Sequence, residues 1–289
     1  MELVAGATGS LGGKITRELL ERGGEVRALV RDGSAAAALE ASGAEVVIGN
    51  LKDPASLRDA CRGVDVVIST ASATRRSDDT PENVDRQGNI DLIDAAREAG
   101  VRRFILVSTL GATEASPVPA FRAKAAAEAH LRESGMEFVI LQPDAFMDVW
   151  FGMLIEAPIA AGSAVTLIGE AKGRHSFIAE ADVARFAAAV ARRPEPVHMT
   201  LALGGPEAIS FRDAALAYAR ALGRPVPVET VPAGSPLGSL PEIVSVIATA
   251  FENDDSVIPM SETSAAFGVT LTSVDDFARQ RVTAGLGAR

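Results

Sequence analysis

The stretch that decides the fold is "VAGATGSLGGKITRELL", residues 4–20. A short apolar run ends at Ala5, then Gly6, Gly9 and Gly12 follow at intervals of three, and an amphipathic helical pattern begins at once. Glycines here permit a tight strand-to-helix turn and let backbone approach a pyrophosphate closely. The helix start then offers unpaired N–H groups and the positive end of its dipole to an anion. The spacing is GxxGxxG, not the GxGxxG of the standard dinucleotide fingerprint, and its specificity comes from opening a strand–helix unit. Nucleotide binding is the functional reading, and a purely structural turn is the plain alternative.

Outward from this turn, apolar runs alternate with helical patterns as far as residue 141. Strands are predicted at "ELVA" (2–5), "EVRALV" (25–30), "AEVVI" (44–48), "DVVIS" (65–69), "RFILVS" (103–108) and "EFVIL" (137–141). Helices are predicted over 11–22, 35–42, 54–61, 82–99 and 118–134. Ser34 is the expected N-cap of the second helix, and Asp53 with Pro54 opens the third. Continuous apolar strands separated by helices predict an α/β fold: a doubly wound parallel sheet (a Rossmann fold), with ligands at the carboxyl ends of its strands.

After residue 142 the pattern loosens. "EADVARFAAAVARR" (180–193) and "SFRDAALAYARALG" (210–223) read as helices, and 232–254 as a Pro/Gly/Ser-rich loop running into a helix. The expected organisation is a nucleotide-binding domain over 1–142 and a smaller mixed α/β substrate lobe over 143–289. Helices of that lobe near 180–193 are expected to return to the core of the first domain.

The composition excludes several classes. A net charge of −10 leaves no basic face to neutralise phosphates, so direct nucleic-acid binding is not expected. The single cysteine, Cys61, rules out an intramolecular disulfide, gives no metal-ligand pattern and reads as a buried helix residue. No apolar run approaches the roughly 20 residues needed to span a bilayer, and no signal-peptide pattern opens the chain. The expectation is a soluble cytoplasmic protein, monomeric or homodimeric, with no membrane partner and no metal.

The second strand ends "VRALVRDGS", placing Arg31 19 residues after Gly12. An enzyme using the non-phosphorylated cofactor typically carries an acid at this strand end. A guanidinium there clamps a 2′-phosphate bidentately, which favours NADP(H); a solvated strand end is the plain alternative.

"GATGSLG", "VRALVRD", "ENVDRQGNIDLIDAAREAGVRRFILVSTLGA", "KAAAEAHLRESGMEFVILQP" and "SFIAEADVARFAAAVA" occur in this order. Together they resemble the atypical short-chain dehydrogenase/reductases, and within them the NmrA-like branch, which holds NADPH-dependent quinone and dye reductases and cofactor-sensing regulators. The resemblance covers about residues 1–190. It implies that Thr8, Gly9, Ser10, Leu11 and Gly12 hold the pyrophosphate and Arg31 the 2′-phosphate, with Gly6 of the turn a further cofactor-binding residue. Asn50 and Leu51 would lie beside the adenine, and Thr70, Ala71 and Ser72 beneath the cofactor. Ser108, Thr109, Pro143 and Phe146 would face the nicotinamide side, with Lys124 at its ribose. Gln142 stands where relatives carry an arginine.

Better-known short-chain reductases pair such a lysine with a tyrosine four residues earlier, which protonates the substrate oxygen. Here that slot is Ala120, and the one tyrosine, Tyr218, lies in the late helix and reads as packing. Chemistry without the tyrosine suits quinone-like or conjugated aromatic acceptors, which take hydride with little proton assistance. Lys124 and Ser108 are the catalytic candidates, with Thr109 a second hydroxyl able to relay a proton. Lys124 also has a bland reading as the i,i+4 surface partner of Glu128. Phe146, Trp150 and Phe151 are candidate substrate-lining residues; for Trp150 and Phe151 an apolar anchor is the equal alternative. His175 reads as a solvated loop residue, and His130 and His198 as superficial. A reductase of a conjugated small molecule is the leading hypothesis. A non-catalytic NADP(H) sensor is the alternative, and an assembly subunit that keeps cofactor for stability is the third.

Overall fold

The computed structural model describes residues 1–33, 36–73, 78–195 and 197–286. The chain divides into two compact units, Met1–Pro143 with Val183–Ala202, and Asp144–Asp182 with Leu203–Arg289.

In the first unit strands and helices alternate as β1 (Glu2–Ala5), α1 (Ser10–Glu21), β2 (Val26–Val30), α2 (Ala36–Ala41), β3 (Glu45–Ile48) and α3 (Pro54–Ala60). They continue as β4 (Val66–Ser69), α4 (Gln87–Glu98), β5 (Arg103–Val107), α5 (Pro119–Glu133) and β6 (Glu137–Pro143). The sheet order is β3-β2-β1-β4-β5-β6, followed by His198–Leu203 as a seventh strand. Pairing is parallel from β3 to β6, with Val4 opposite both Ala28 and Ile68. Leu3, Val4 and Ala5 are fully buried, as a central strand covered on both faces requires. The strand order reverses beside β1, so the carboxyl ends of β1 and β4 form the switch point where ligands bind in such sheets.

Local chemistry sets the element ends. Asp53 accepts from Ala55 N at 3.1 Å and Pro54 follows it, starting α3. Arg103, fully buried at the head of β5, ion-pairs with Glu137 at 2.7 Å. It also donates to the carbonyls of Val190 (2.6 Å) and Glu195 (2.7 Å), closing the end of the helix Glu180–Ala191. Ser34, the expected cap of α2, lies outside the described residues. The helix expected over 82–99 differs in its first turn: Pro81–Arg86 is a π-turn and α4 starts at Gln87. Thr80 opens that turn through a capping box with Asn83.

The second unit contains a two-stranded parallel ribbon, Val165–Ile168 with Val228–Val231. Neither strand is predicted from sequence: each has four residues, and in the second no residue is fully enclosed. The helix Phe211–Leu222 starts at Ser210 in a capping box with Asp213 and ends at Gly223 with φ +65°. Its buried side packs with Phe151, Phe177 and Phe277 in one apolar cluster. Among the described residues no helix is long and apolar enough to cross a membrane, and no group of metal-ligating side chains occurs.

Candidate functional site

The glycine turn between β1 and α1 is packed so tightly that side chains are excluded. A Cβ on Gly12 would lie 2.1 Å from the carbonyl oxygen of Gly6. Gly6 has φ +85°, and a Cβ there would lie 2.6 Å from Thr70 Oγ1. Gly9 is the N-cap of α1 and brings no side-chain cap, so the helix start presents backbone rather than side chain. Ser10 is exposed and accepts from Lys14 Nζ at 2.8 Å, whereas Leu11 turns into the core.

One cavity joins this turn to the ends of the neighbouring strands. Gly6, Thr8 and Gly9 line it with Arg31 from the end of β2, Asn50 and Leu51 after β3, and Thr70, Ala71 and Ser72 after β4. Nine of the positions inferred from sequence therefore share one concave surface. The Asn50 side chain turns back on its own loop, its Oδ1 accepting from Lys52 N at 3.1 Å. Arg31 is not a solvated strand end, because its guanidinium donates to Asp79 at 2.5 Å.

The loop after β4 is fastened by a network that sequence reasoning missed. Asp85, buried in the π-turn, accepts from Ser72 Oγ at 2.7 Å and Ala73 N at 3.0 Å. Its Oδ1 lies 3.2 Å from Lys124 Nζ. Asn89, one turn on, accepts from Ser69 Oγ at 2.6 Å and donates to the carbonyls of Val84 and Asp85. A polar pair four apart on an otherwise apolar helix face was the available signal. Lys124 thus meets Asp85. Its expected i,i+4 partner, Glu128, instead accepts from Arg132 at 2.9 Å and from Gln142 Nε2 at 2.9 and 3.0 Å. Gln142, in place of an arginine, takes a structural role on that buried carboxylate.

At the end of β5, Ser108 N donates to Leu141 O at 2.8 Å and Leu110 N to Pro143 O at 2.9 Å. The Ser108 hydroxyl, in a residue 5% exposed, has no hydrogen-bond partner among the described residues. A buried orphan hydroxyl costs free energy unless something else satisfies it. Thr109 Oγ1 makes a long contact with Leu110 O, at 3.4 Å.

In the second unit, Phe146 forms a bridge with Ile178. Trp150 is partly exposed and meets Phe251 edge-on at 4.8 Å. Phe151 is fully enclosed in the apolar cluster of the second unit, 4.8 Å from Phe177, and presents no face to a ligand, so its substrate-lining assignment is corrected. Tyr218 is fully buried and donates to Glu156 at 2.5 Å, in keeping with packing. His175 is corrected from a solvated loop residue. It is buried, with Nδ1 2.7 Å from Ser256 Oγ and Nε2 2.7 Å from Phe251 O.

The cradle that a Cβ would fill, the orphan hydroxyl of Ser108 and the cation at the end of β2 are donors and spaces that fit a dinucleotide. Comparisons with known proteins agree. A family described as NAD(P)H-binding matches residues 6–194. Over 226 residues the chain is 34% identical to an NAD(P)H azoreductase of Xenophilus azovorans, covering 78% of this chain and 75% of the azoreductase. It is likewise 34% identical over 215 residues to the photosystem II assembly factor Ycf39 of Synechocystis sp., covering 72% of this chain and 65% of that protein, just under two thirds of its length. The crystal structure of an NADPH-dependent quinone oxidoreductase of Escherichia coli complexed with NADPH aligns with a TM-score of 0.82, 98% of this chain covering 100% of that one. At 22% identity that likeness is one of fold.

Proposed function

The chain belongs to the NAD(P)H-binding family of the atypical short-chain dehydrogenase/reductases, and from that premise we propose that it is an NADPH-dependent reductase of quinone-like or other conjugated aromatic molecules. The observation that carries this reading is Arg31: a guanidinium at the end of β2 lines the same cavity as the glycine turn. NADPH, when bound, supplies the hydride.

The chain's own residues bind and orient. The backbone of Gly6 to Gly12 admits the pyrophosphate, Arg31 takes the 2′-phosphate, and Asn50 and Leu51 border the adenine. Lys124 is held by Asp85 as a ribose contact, and Ser72, in the same loop as Thr70 and Ala71, is fixed beside it through the same carboxylate. Ser108, whose hydroxyl has no partner among the described residues, is the donor proposed for the nicotinamide side, together with Thr109, Pro143 and Phe146. Phe146 and Trp150 are proposed for the acceptor.

A general acid contributes roughly 10²–10⁴ in rate, and with Ala120 in the tyrosine slot that contribution is missing. Reducing a quinone forms a phenolate-like anion rather than a basic alkoxide, so orientation and electrostatics suffice. The decisive experiment follows NADPH absorbance with a panel of quinones, azo dyes and enones. Acceptor-dependent oxidation is expected, fastest with quinones or dyes and negligible with simple ketones. In the same preparation Arg31→Ala should weaken NADPH roughly 10- to 100-fold, the span of one hydrogen bond to a charged group, and NADH about twofold or less. Equal loss for both would remove the 2′-phosphate assignment.

A second reading is a non-catalytic NADP(H)-binding factor in assembly or regulation. Two observations favour it: the identity shared with the assembly factor and the pairing of Lys124 with a buried carboxylate. Intact NADPH binding with no oxidation by any acceptor would select it.

A further inference from the structure

Arg31 does not face an open seat for an anion. Its Nη1 lies 2.5 Å from Asp79 Oδ2, and the other oxygen, Oδ1, accepts from Lys52 Nζ at 3.0 Å. One carboxylate therefore bridges two cations that come from different strand ends, β2 and β3. Lys52 Nζ also donates to Asp78 Oδ2 at 2.6 Å. The two acids differ in setting: the Asp79 side chain is 1% exposed and that of Asp78 68%.

Local structure holds both sides in place. The side chain of Asn50, which lines the nucleotide cavity, accepts from Lys52 N and so fixes the turn that carries Lys52. Thr80, next to Asp79, caps the Pro81–Arg86 turn by accepting from Asn83 N at 3.1 Å, and Asn83 Nδ2 donates to Asp78 O at 3.0 Å. Burial pushes the Asp79 carboxyl up, but the hydrogen bonds from Arg31 and Lys52 outweigh it and hold its pKa below the ordinary carboxylate value. Asp79 is thus an anion at neutral pH.

Charge counting then sets the problem. Among the described residues, Arg31 and Lys52 bring two positive charges to these contacts and Asp78 and Asp79 two negative ones, so the four balance. A phosphate dianion gains little Coulomb attraction from a neutral cluster and much more from one whose carboxylate has withdrawn. The buried carboxylate also marks where charge-assisted hydrogen bonds from both cations converge, and phosphate oxygens take the same bonds.

We propose that Lys52 is the second cation of the 2′-phosphate seat and that Asp79 is its resident counter-anion, replaced when a 2′-phosphorylated ribose binds. Asp79 then tunes the preference between cofactors. It penalises NADPH, which must displace it, and leaves NADH, which does not, nearly unaffected. This rests on the assignment of Arg31 to the 2′-phosphate.

Isothermal titration calorimetry on the full chain tests it, with NADPH, NADH and 2′,5′-ADP as ligands. Asp79→Asn is expected to tighten NADPH and 2′,5′-ADP by about fivefold or more and to leave NADH within about twofold, because only the phosphorylated ligands gain from the freed cations. Lys52→Gln is expected to weaken both phosphorylated ligands by about fivefold or more, again sparing NADH. Lys52 is at the surface, so this second variant keeps the test open if Asp79→Asn fails to fold by circular dichroism.

Unchanged or weaker NADPH binding by a folded Asp79→Asn protein would overturn the proposal, as would a Lys52→Gln protein that binds 2′,5′-ADP like the parent. The control is Arg31→Ala. If it weakens NADPH and NADH equally, the 2′-phosphate reading itself fails. If it is selective for NADPH while the other two variants behave like the parent, only the resident anion fails.

Discussion

At Lys124 and Tyr218 the chain parts from the tyrosine–lysine pairing of better-known short-chain reductases. Ala120 stands four residues before Lys124, and the one tyrosine lies in the second unit. There Tyr218 donates to Glu156, whose oxygens also accept from Arg281 at 2.8 and 2.6 Å. Burial, and then the Glu156 carboxylate, push the phenol above its ordinary value, so it stays protonated and bound. Tyr218→Phe removes one hydrogen bond from a carboxylate that keeps two others. The expected loss is about 1–3 kcal/mol of stability, as for hydrogen bonds to charged groups, with NADPH affinity within about twofold of the parent. Urea denaturation and NADPH titration check both. The raised folded pKa makes this contribution complete below the unfolded value of 10.0 and progressively lost as pH rises above it, so the gap between parent and variant should narrow in alkali. A folded variant that no longer oxidises NADPH would show that Tyr218 acts in the reaction after all.

Among the elements, the turn from β1 into α1 joins sequence to site most directly. Gly12 and Gly13 are adjacent in α1, yet a Cβ on Gly12 meets a backbone oxygen at 2.1 Å and one on Gly13 meets Ala7 O at 3.5 Å, an ordinary contact. Gly12→Ala is therefore expected to cost about 1–3 kcal/mol, the usual penalty of overpacking, and to weaken NADPH by about tenfold or more as the turn widens. Gly13→Ala should be neutral or gain up to about 1 kcal/mol from helix propensity. Thermal melts and NADPH titration of the pair measure this, and equal behaviour of the two would contradict it. The contrast also shows what was legible in the sequence. Gly6, Gly9 and Gly12 declare the turn, and β1, β2, β4 and β5 declare themselves because strands covered on both faces are continuously apolar. Asp85 and Asp79 are not legible in this way, since their partners lie 39 and 48 positions away in sequence, at Lys124 and Arg31. The π-turn carrying Asp85 looks like ordinary helix, and the ribbon Val165–Ile168 with Val228–Val231 is too short to show a period.

On the scale of the whole molecule, the chain passes between its two units after Pro143, Asp182 and Ala202, so Val183–Ala202 is tethered at both ends to segments of the second unit. Three covalent crossings, rather than one linker, predict that the units unfold together. Each carries one native probe. Cys61, in the first unit, is fully buried, and burial, opposed in part by the charge of Arg27, pushes its thiol up to about 12. Trp150, in the second, lies edge-on to Phe251. The thiol should resist alkylation in the native protein and become reactive only on unfolding. In urea, its alkylation and the Trp150 fluorescence are expected to change at one midpoint. Because its folded pKa is raised, the stability Cys61 contributes is complete below the unfolded value of 9.0 and lost as pH rises toward about 12, so that midpoint should fall in alkali. Saturating NADPH at about 100 times its Kd adds roughly 2.7 kcal/mol to whatever unfolds with the site. A common shift of both probes would show that the second unit shares the stabilisation of the first. If NADPH moved the Cys61 transition and left that of Trp150 in place, the units would be thermodynamically separate, and cofactor binding could not transmit stability to Phe146 and Trp150.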